Sequence, residues 1–213
     1  MMDNATLCPR VYVIGDSISI QYGPYLKAYL SGFMEYARKE GEAEARLNLD
    51  VPQGANGGDS GMVLAFLKAM DATTGIDADF LLLNCGLHDI KTNPVSMARQ
   101  VDIETYEKNL AEILRTVSTM RCRPIWVRTT PCDENIHNTV NRTFWRFKAD
   151  CDAYNRVADR VMEQAGVPVI DLFTFTRNLG GDLFCDHVHF REPVREKQAA
   201  FLAGWLLGHV SRI

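Results

Sequence analysis

No stretch of the chain approaches the roughly 20 consecutive apolar residues that a helix needs to cross a bilayer. The start, Met-Met-Asp-Asn-Ala-Thr, has no secretory pattern. The expectation is a cytoplasmic protein with no membrane partner. No stripe of Lys or Arg interleaves with aromatics: the 23 basic residues are scattered and the formal net charge is −4, so nucleic acid is not an expected partner. The six cysteines, Cys8, Cys85, Cys122, Cys132, Cys151 and Cys185, include no Cys-x-x-Cys pair and read as reduced thiols, with Cys85 and Cys151 serving packing. Neither Gly-x-Gly-x-x-Gly nor Gly-x-x-x-x-Gly-Lys occurs, which argues against nucleotide binding and leaves no cofactor expected. Gly-x-Ser-x-Gly is also missing, so the ordinary α/β-hydrolase elbow is not supported. With no repeat, linker or low-complexity stretch, 213 residues suit one domain spanning 1–213.

What is present begins with Val11-Tyr12-Val13-Ile14, a β-branched and aromatic run that stops at Gly15-Asp16-Ser17. Its lack of a 3.6-residue period suits a strand buried on both faces of a parallel sheet. Gly23-Pro24 leads into a helical face of Tyr25, Leu26, Tyr29, Leu30 and Phe33, a helix expected to fade near Gly41. Arg46 to Val51 alternates polar and apolar residues and reads as a second, edge strand. Pro52 to Gly61 is a glycine-rich loop, after which Asp59 or Ser60 caps a helix marked by Met62, Val63, Phe66, Leu67 and Met70. Phe80 to Cys85 is the most apolar short run and reads as the central strand. Beyond it, Tyr106, Leu110, Ile113 and Val117 mark a helix, Pro124 to Val127 a fourth strand, Phe147 to Ala165 a helix closed by Gly166, and Val167 to Ile170 a fifth strand. A last helix starts at about Pro193.

Strands alternating with helices predict an α/β fold, a three-layer α/β/α sandwich on a five-stranded parallel sheet. In such sheets ligands bind outside the carboxyl ends of the strands. Four polar clusters fall there: Asp16-Ser17, Asn56 to Ser60, His88-Asp89 and, after the fifth strand, Asp186-His187-Val188-His189. Ester cleavage by serine needs a hydroxyl, an imidazole to take its proton, a group to orient the imidazole and donors for the oxyanion. The clusters supply candidates for all four. The plain alternative for Asp16 and Ser17 is that they only cap the helix.

In order and spacing, Gly15-Asp16-Ser17, the glycines of Gly57-Gly58-Asp59-Ser60, Gly86-Leu87-His88-Asp89 and Asp186-His187-Val188-His189 resemble the four blocks of the SGNH, or GDSL, hydrolase family. The resemblance implies a flavodoxin-like sheet, Ser17 as nucleophile, His189 as general base, Asp186 orienting it, and the backbone N–H groups of Ser17 and Gly58 in the oxyanion hole. One block departs: His88 stands where the family usually has an Asn that donates to the oxyanion. An imidazole N–H can donate too, so His88 is either a third donor or the mark of a different substrate or a lost activity.

Ser60, in a second Gly-Asp-Ser, lacks a buried strand leading into it. His187 should point away from His189 on an extended segment, toward surface or substrate. The same two histidines with Asp186 and Cys185 could ligate Zn²⁺, but no second cluster of ligand spacing faces them, and no metal is expected. His137 reads as a solvated loop residue, and His209 as a helix C-terminal one. The resulting expectation is a serine ester hydrolase working through an acyl-enzyme on a short-chain, acetyl-like ester of a small molecule, possibly a carbohydrate. Acyl transfer at the same site and a non-catalytic flavodoxin-like binding module are the alternatives.

Overall fold

The computed structural model describes residues 8–210; the Met1–Leu7 segment, part of the basis for the expected location, lies outside the described residues. Its centre is β3 (Phe80–Leu83), four consecutive apolar residues all at most 1% exposed. A strand buried on both faces has no polar side, which is why it reads as an unbroken apolar run. β1 (Arg10–Ile14) lies on one side of it and β4 (Arg123–Val127) on the other. β2 (Glu35–Arg38) and β5 (Val169–Ile170) complete a sheet of order β2-β1-β3-β4-β5, parallel throughout. This is the flavodoxin-like order. Helices α1 (Ser17–Leu30), α7 (Leu172–Asn178) and α8 (Glu192–Val210) pack together, as do α3 (Ser60–Asp71), α4 (Ile103–Val117) and α6 (Lys148–Gln164). The two groups form the outer layers of the expected three-layer α/β fold. Among the described residues no helix is long and apolar enough to cross a membrane.

The edge of the sheet differs from the sequence expectation. The first helix starts at Ser17, at the junction expected for it, but ends at Leu30 rather than near Gly41, and the second strand is Glu35–Arg38 rather than residues 46–51. Glu, Ala and Arg are good helix formers, but pairing of Arg10 through Val13 with Glu35 through Arg38 overrides that preference. As an edge strand, β2 keeps its charged residues partly exposed. Residues 46 and 47 instead end a short helix, α2 (Glu42–Leu47), and Leu47 is 82% exposed. The alternation there reflects no buried face. Pro24 sits inside α1, where it cannot donate to the carbonyl of Ile20. Arg46 of α2 supplies the missing donor, its Nη2 lying 3.1 Å from Ile20 O. Two further short helices have no periodic signal in the sequence: α5 (Glu134–Val140), within the expected polar loop, and α7.

Truncating Leu81, fully buried in β3, should cost about 2–5 kcal/mol. Leu47→Ala should stay within about 0.5 kcal/mol of wild type, because its side chain is in solvent. Urea unfolding of the two variants checks the placement of both; a large loss at Leu47 would mean that residues 46–51 do belong to the sheet.

Candidate active site

β1 ends at Ile14, and the chain turns through Gly15 and Asp16 directly into α1. Asp16 caps that helix: its Oδ1 accepts from the N–H of Ile18 at 2.9 Å. The capping reading therefore holds for Asp16, while Ser17 occupies the first helical position, where its own N–H has no intrahelical acceptor. Asp186 organises the other partner. Its Oδ1 accepts from the backbone N–H groups of Val188 (2.8 Å) and His189 (2.7 Å), and its Oδ2 lies 2.8 Å from His189 Nδ1. Burial pushes the Asp186 pKa up, but the bonds from the His189 ring and from the two amides outweigh it and hold the carboxyl well below its usual range. An ionised carboxylate only accepts, so Nδ1 carries a proton, and in the neutral ring Nε2 has the lone pair. That Nε2 is 2.9 Å from Ser17 Oγ. The structure thus joins Asp186, His189 and Ser17 in one hydrogen-bonded line, with Ser17 5% and His189 2% exposed.

The glycine-rich loop is fastened beside this line. Gly57 N–H donates to Gly15 O at 2.9 Å. Gly58 has φ +71°, and a Cβ there would lie 2.5 Å from Met62 Sδ, so only glycine fits. Its N–H donates to Asn56 Oδ1 at 3.1 Å, and must release that bond to serve an oxyanion. Asp89, fully buried, accepts from Ser60 N–H with both carboxylate oxygens at 2.9 and 3.1 Å and so ties the end of β3 to the start of α3. Ser60 is fully buried, and its Oγ accepts from Asn109 rather than meeting an imidazole. His88 is 4% exposed, and neither ring nitrogen is hydrogen-bonded among the described residues. Burial, with the positive charges of Lys91 and Arg146 nearby, holds its pKa well below the ordinary histidine value, so the ring is neutral and offers one N–H.

Around this lies a ring of groups that the sequence reading missed. His187 does turn away from Ser17: its Nε2 is 3.2 Å from Asp50 Oδ2. His137, expected in solvent, is completely buried. The correction follows from α5, which carries it inward against Arg146, whose Nη1 lies 2.7 Å from His137 Nε2. Arg146 is itself 3% exposed and its Nε donates to Leu87 O at 2.7 Å. A single Arg between Trp145 and Phe147 was the one available hint. Among the described residues no three His, Cys, Asp or Glu converge as a metal site, since His187 and His189 face different partners. An open cleft of about 830 Å³ at the amino ends of the strands, bordered by Arg10, Glu35 and Asp79, does not touch the line from Asp186 to Ser17.

The model of the GDSL-like lipase/acylhydrolase family matches residues 13–193. No curated protein matches the chain. Among solved structures, a lipase/acylhydrolase from Enterococcus faecalis is similar, with a TM-score of 0.71 at 16% identity over 94% of this chain and 96% of that one. An acetyl xylan esterase, AlAXEase, gives 0.66 at 15% identity over 92% and 99%. Est24, a carbohydrate acetylesterase from Sinorhizobium meliloti, gives 0.62 at 12% identity over 94% and 99%. At these identities the structural likeness establishes the fold.

His137 yields a pH test. Arginine only donates, so Nε2 of His137 must stay unprotonated. Burial, then the charges of Arg146 and His187, push its pKa down to about 3, against small opposing effects of Asn138 and Asp50. Between about pH 6.5 and 3 the unfolded chain binds this proton and the folded chain does not, so the stability contributed by the neutral ring is full above about pH 6.5 and is lost as pH falls. Urea midpoints of wild type should therefore drop more steeply over that window than those of His137→Gln, which can still accept from Arg146. Parallel curves would show that His137 is not held neutral.

Proposed function

Because the chain belongs to the GDSL-like lipase/acylhydrolase family, we propose that it is a serine ester hydrolase working through an acyl-enzyme at Ser17. The observation that carries this reading is the hydrogen-bonded line Asp186–His189–Ser17. His189 Nε2 takes the hydroxyl proton as Ser17 Oγ attacks the ester carbonyl, and Asp186 stabilises the imidazolium that forms. The negative charge on the carbonyl oxygen is met by the Ser17 N–H at the start of α1, by the Gly58 N–H and by the His88 ring N–H. His189 then protonates the departing alkoxide, leaving an acyl-serine. Water attacks this in the same way, giving its proton to His189 and releasing the acid and Ser17.

The proposed substrate is a small-molecule ester with a short acyl group, acetyl being the leading case, and with a carbohydrate as the alcohol. The similarity in fold to proteins named acetyl xylan esterase and carbohydrate acetylesterase supports that choice, as does a sequence with no large insertion to form an apolar lid.

A fluorophosphonate probe should label Ser17, and Ser17→Ala should abolish both labelling and turnover of p-nitrophenyl acetate, while Ser60→Ala keeps most activity. His189→Ala should lower kcat by several orders of magnitude. Labelling that follows Ser60 would reverse the assignment.

His88 has its own test. A donor aimed at charge that grows only in the transition state acts on kcat more than on KM, and losing one costs about 10²–10³ in kcat. His88→Ala should show that loss and His88→Asn should recover part of it. A change confined to KM would make His88 a substrate contact instead.

A further inference from the structure

Resting on Ser17 as the nucleophile, we propose that Arg146 and Lys91 form a subsite for an anionic group, a carboxylate or phosphate, carried by the ester substrate beside its scissile bond. Both cations are withdrawn from water, yet neither has a carboxylate partner among the described residues. Arg146 spends Nε on the carbonyl of Leu87 and Nη1 on the neutral His137 ring, each at 2.7 Å, and its Nη2 donates to nothing among the described residues. Lys91 Nζ reaches only the backbone carbonyl of Asp50, at 3.3 Å. The two flank one aromatic ring, Lys91 at 4.5 Å and Arg146 at 5.1 Å from the centroid of Phe144. That contact compensates part of their desolvation. The Asp50 carboxylate, which could have neutralised either, is turned to His187 Nε2. Asp16 and Asp59 act on Lys91 only through space.

A guanidinium taken from water with neutral acceptors alone is costly unless something completes its shell. Burial, and next the like charge of Arg146, push Lys91 down to about 8 against the weaker opposing pull of Asp50, Asp59 and Asp16. The pair also lies beside the ester's seat. Arg146 grips the residue preceding His88, and ring contacts run from His137 to His187 (4.7 Å between centroids) and from His187 to His189 (6.1 Å). A planar fork and an ammonium close to one aromatic ring and to each other suit either oxyanion.

The test compares kcat/KM on matched pairs. An O-acetylated uronic acid is set against its methyl ester, which removes only the charge, and an acetylated sugar phosphate against the same acetylated sugar without phosphate. The anionic member of at least one pair should be preferred by about 10-fold or more, the effect of one charge-assisted hydrogen bond, and the pair showing it identifies the oxyanion. The preference should shrink with added salt. It should fall toward unity in Lys91→Met and persist in Lys91→Arg. Equal turnover of both members of both pairs by wild type would overturn the subsite while leaving the Ser17 assignment standing. A preference that survives Lys91→Met unchanged would also overturn it, since the charge would then be read elsewhere. Absence of all ester turnover together with absence of fluorophosphonate labelling would instead remove the premise.

Discussion

Parallel pairing is the constraint on which this molecule is built. Strands that all run one way cannot be joined by hairpins, so each connection must cross back over the sheet before the next strand begins. Every strand therefore releases the chain at the same edge. Residues as far apart as Asp16, Asn56, His88 and Asp186 are gathered there by topology, and local sequence only has to place the right side chain at the right exit. The fully buried β3 fixes the geometry of the edge, because β1 and β4 both register against it.

What the exits share is a set of polar braces with one-way chemistry. Asp89 accepts from Ser60, Asp186 accepts from two amides and an imidazole, and Arg146 donates to Leu87. A carboxylate that only accepts and a guanidinium that only donates leave their histidine partners no choice of tautomer. Asp186 forces the lone pair of His189 onto Nε2, facing Ser17, while Arg146 demands a lone pair on Nε2 of His137. Protonation states at this edge are thus set by fixed donors and acceptors packed against two buried rings.

The strands buried on both faces were legible as sequence, because continuous apolar runs such as Phe80 to Leu83 have few other uses. The edge strand was not. Glu35, Tyr36, Ala37 and Arg38 form a strand only because β1 offers a free side, a tertiary fact invisible to local pattern. The exits of β1 and β3 and the segment from Asp186 to His189 were legible for a different reason: glycine, serine, aspartate and histidine clustered at strand ends have chemistry to offer. The second ring was hidden. Little in the local pattern marks Arg146, Lys91 or Asp50, and only α5 and the loops beside it bring the first of them into the interior. A short helix such as α5 has too few turns to show a period, so His137 could not be placed by counting.

The hydrogen bond between Ser17 and His189 joins residues 172 positions apart. In chain order Ser17 precedes four of the five strands, while His189, the base proposed for it, follows all five. A chain carrying only β1 through β4 would thus hold the Ser17 hydroxyl without His189 beside it. The bond exists only where the segment before α8 meets the start of α1. On the proposed reading, a chain cut short before Asp186 would hold all five strands of the sheet and lack the partners proposed to activate Ser17.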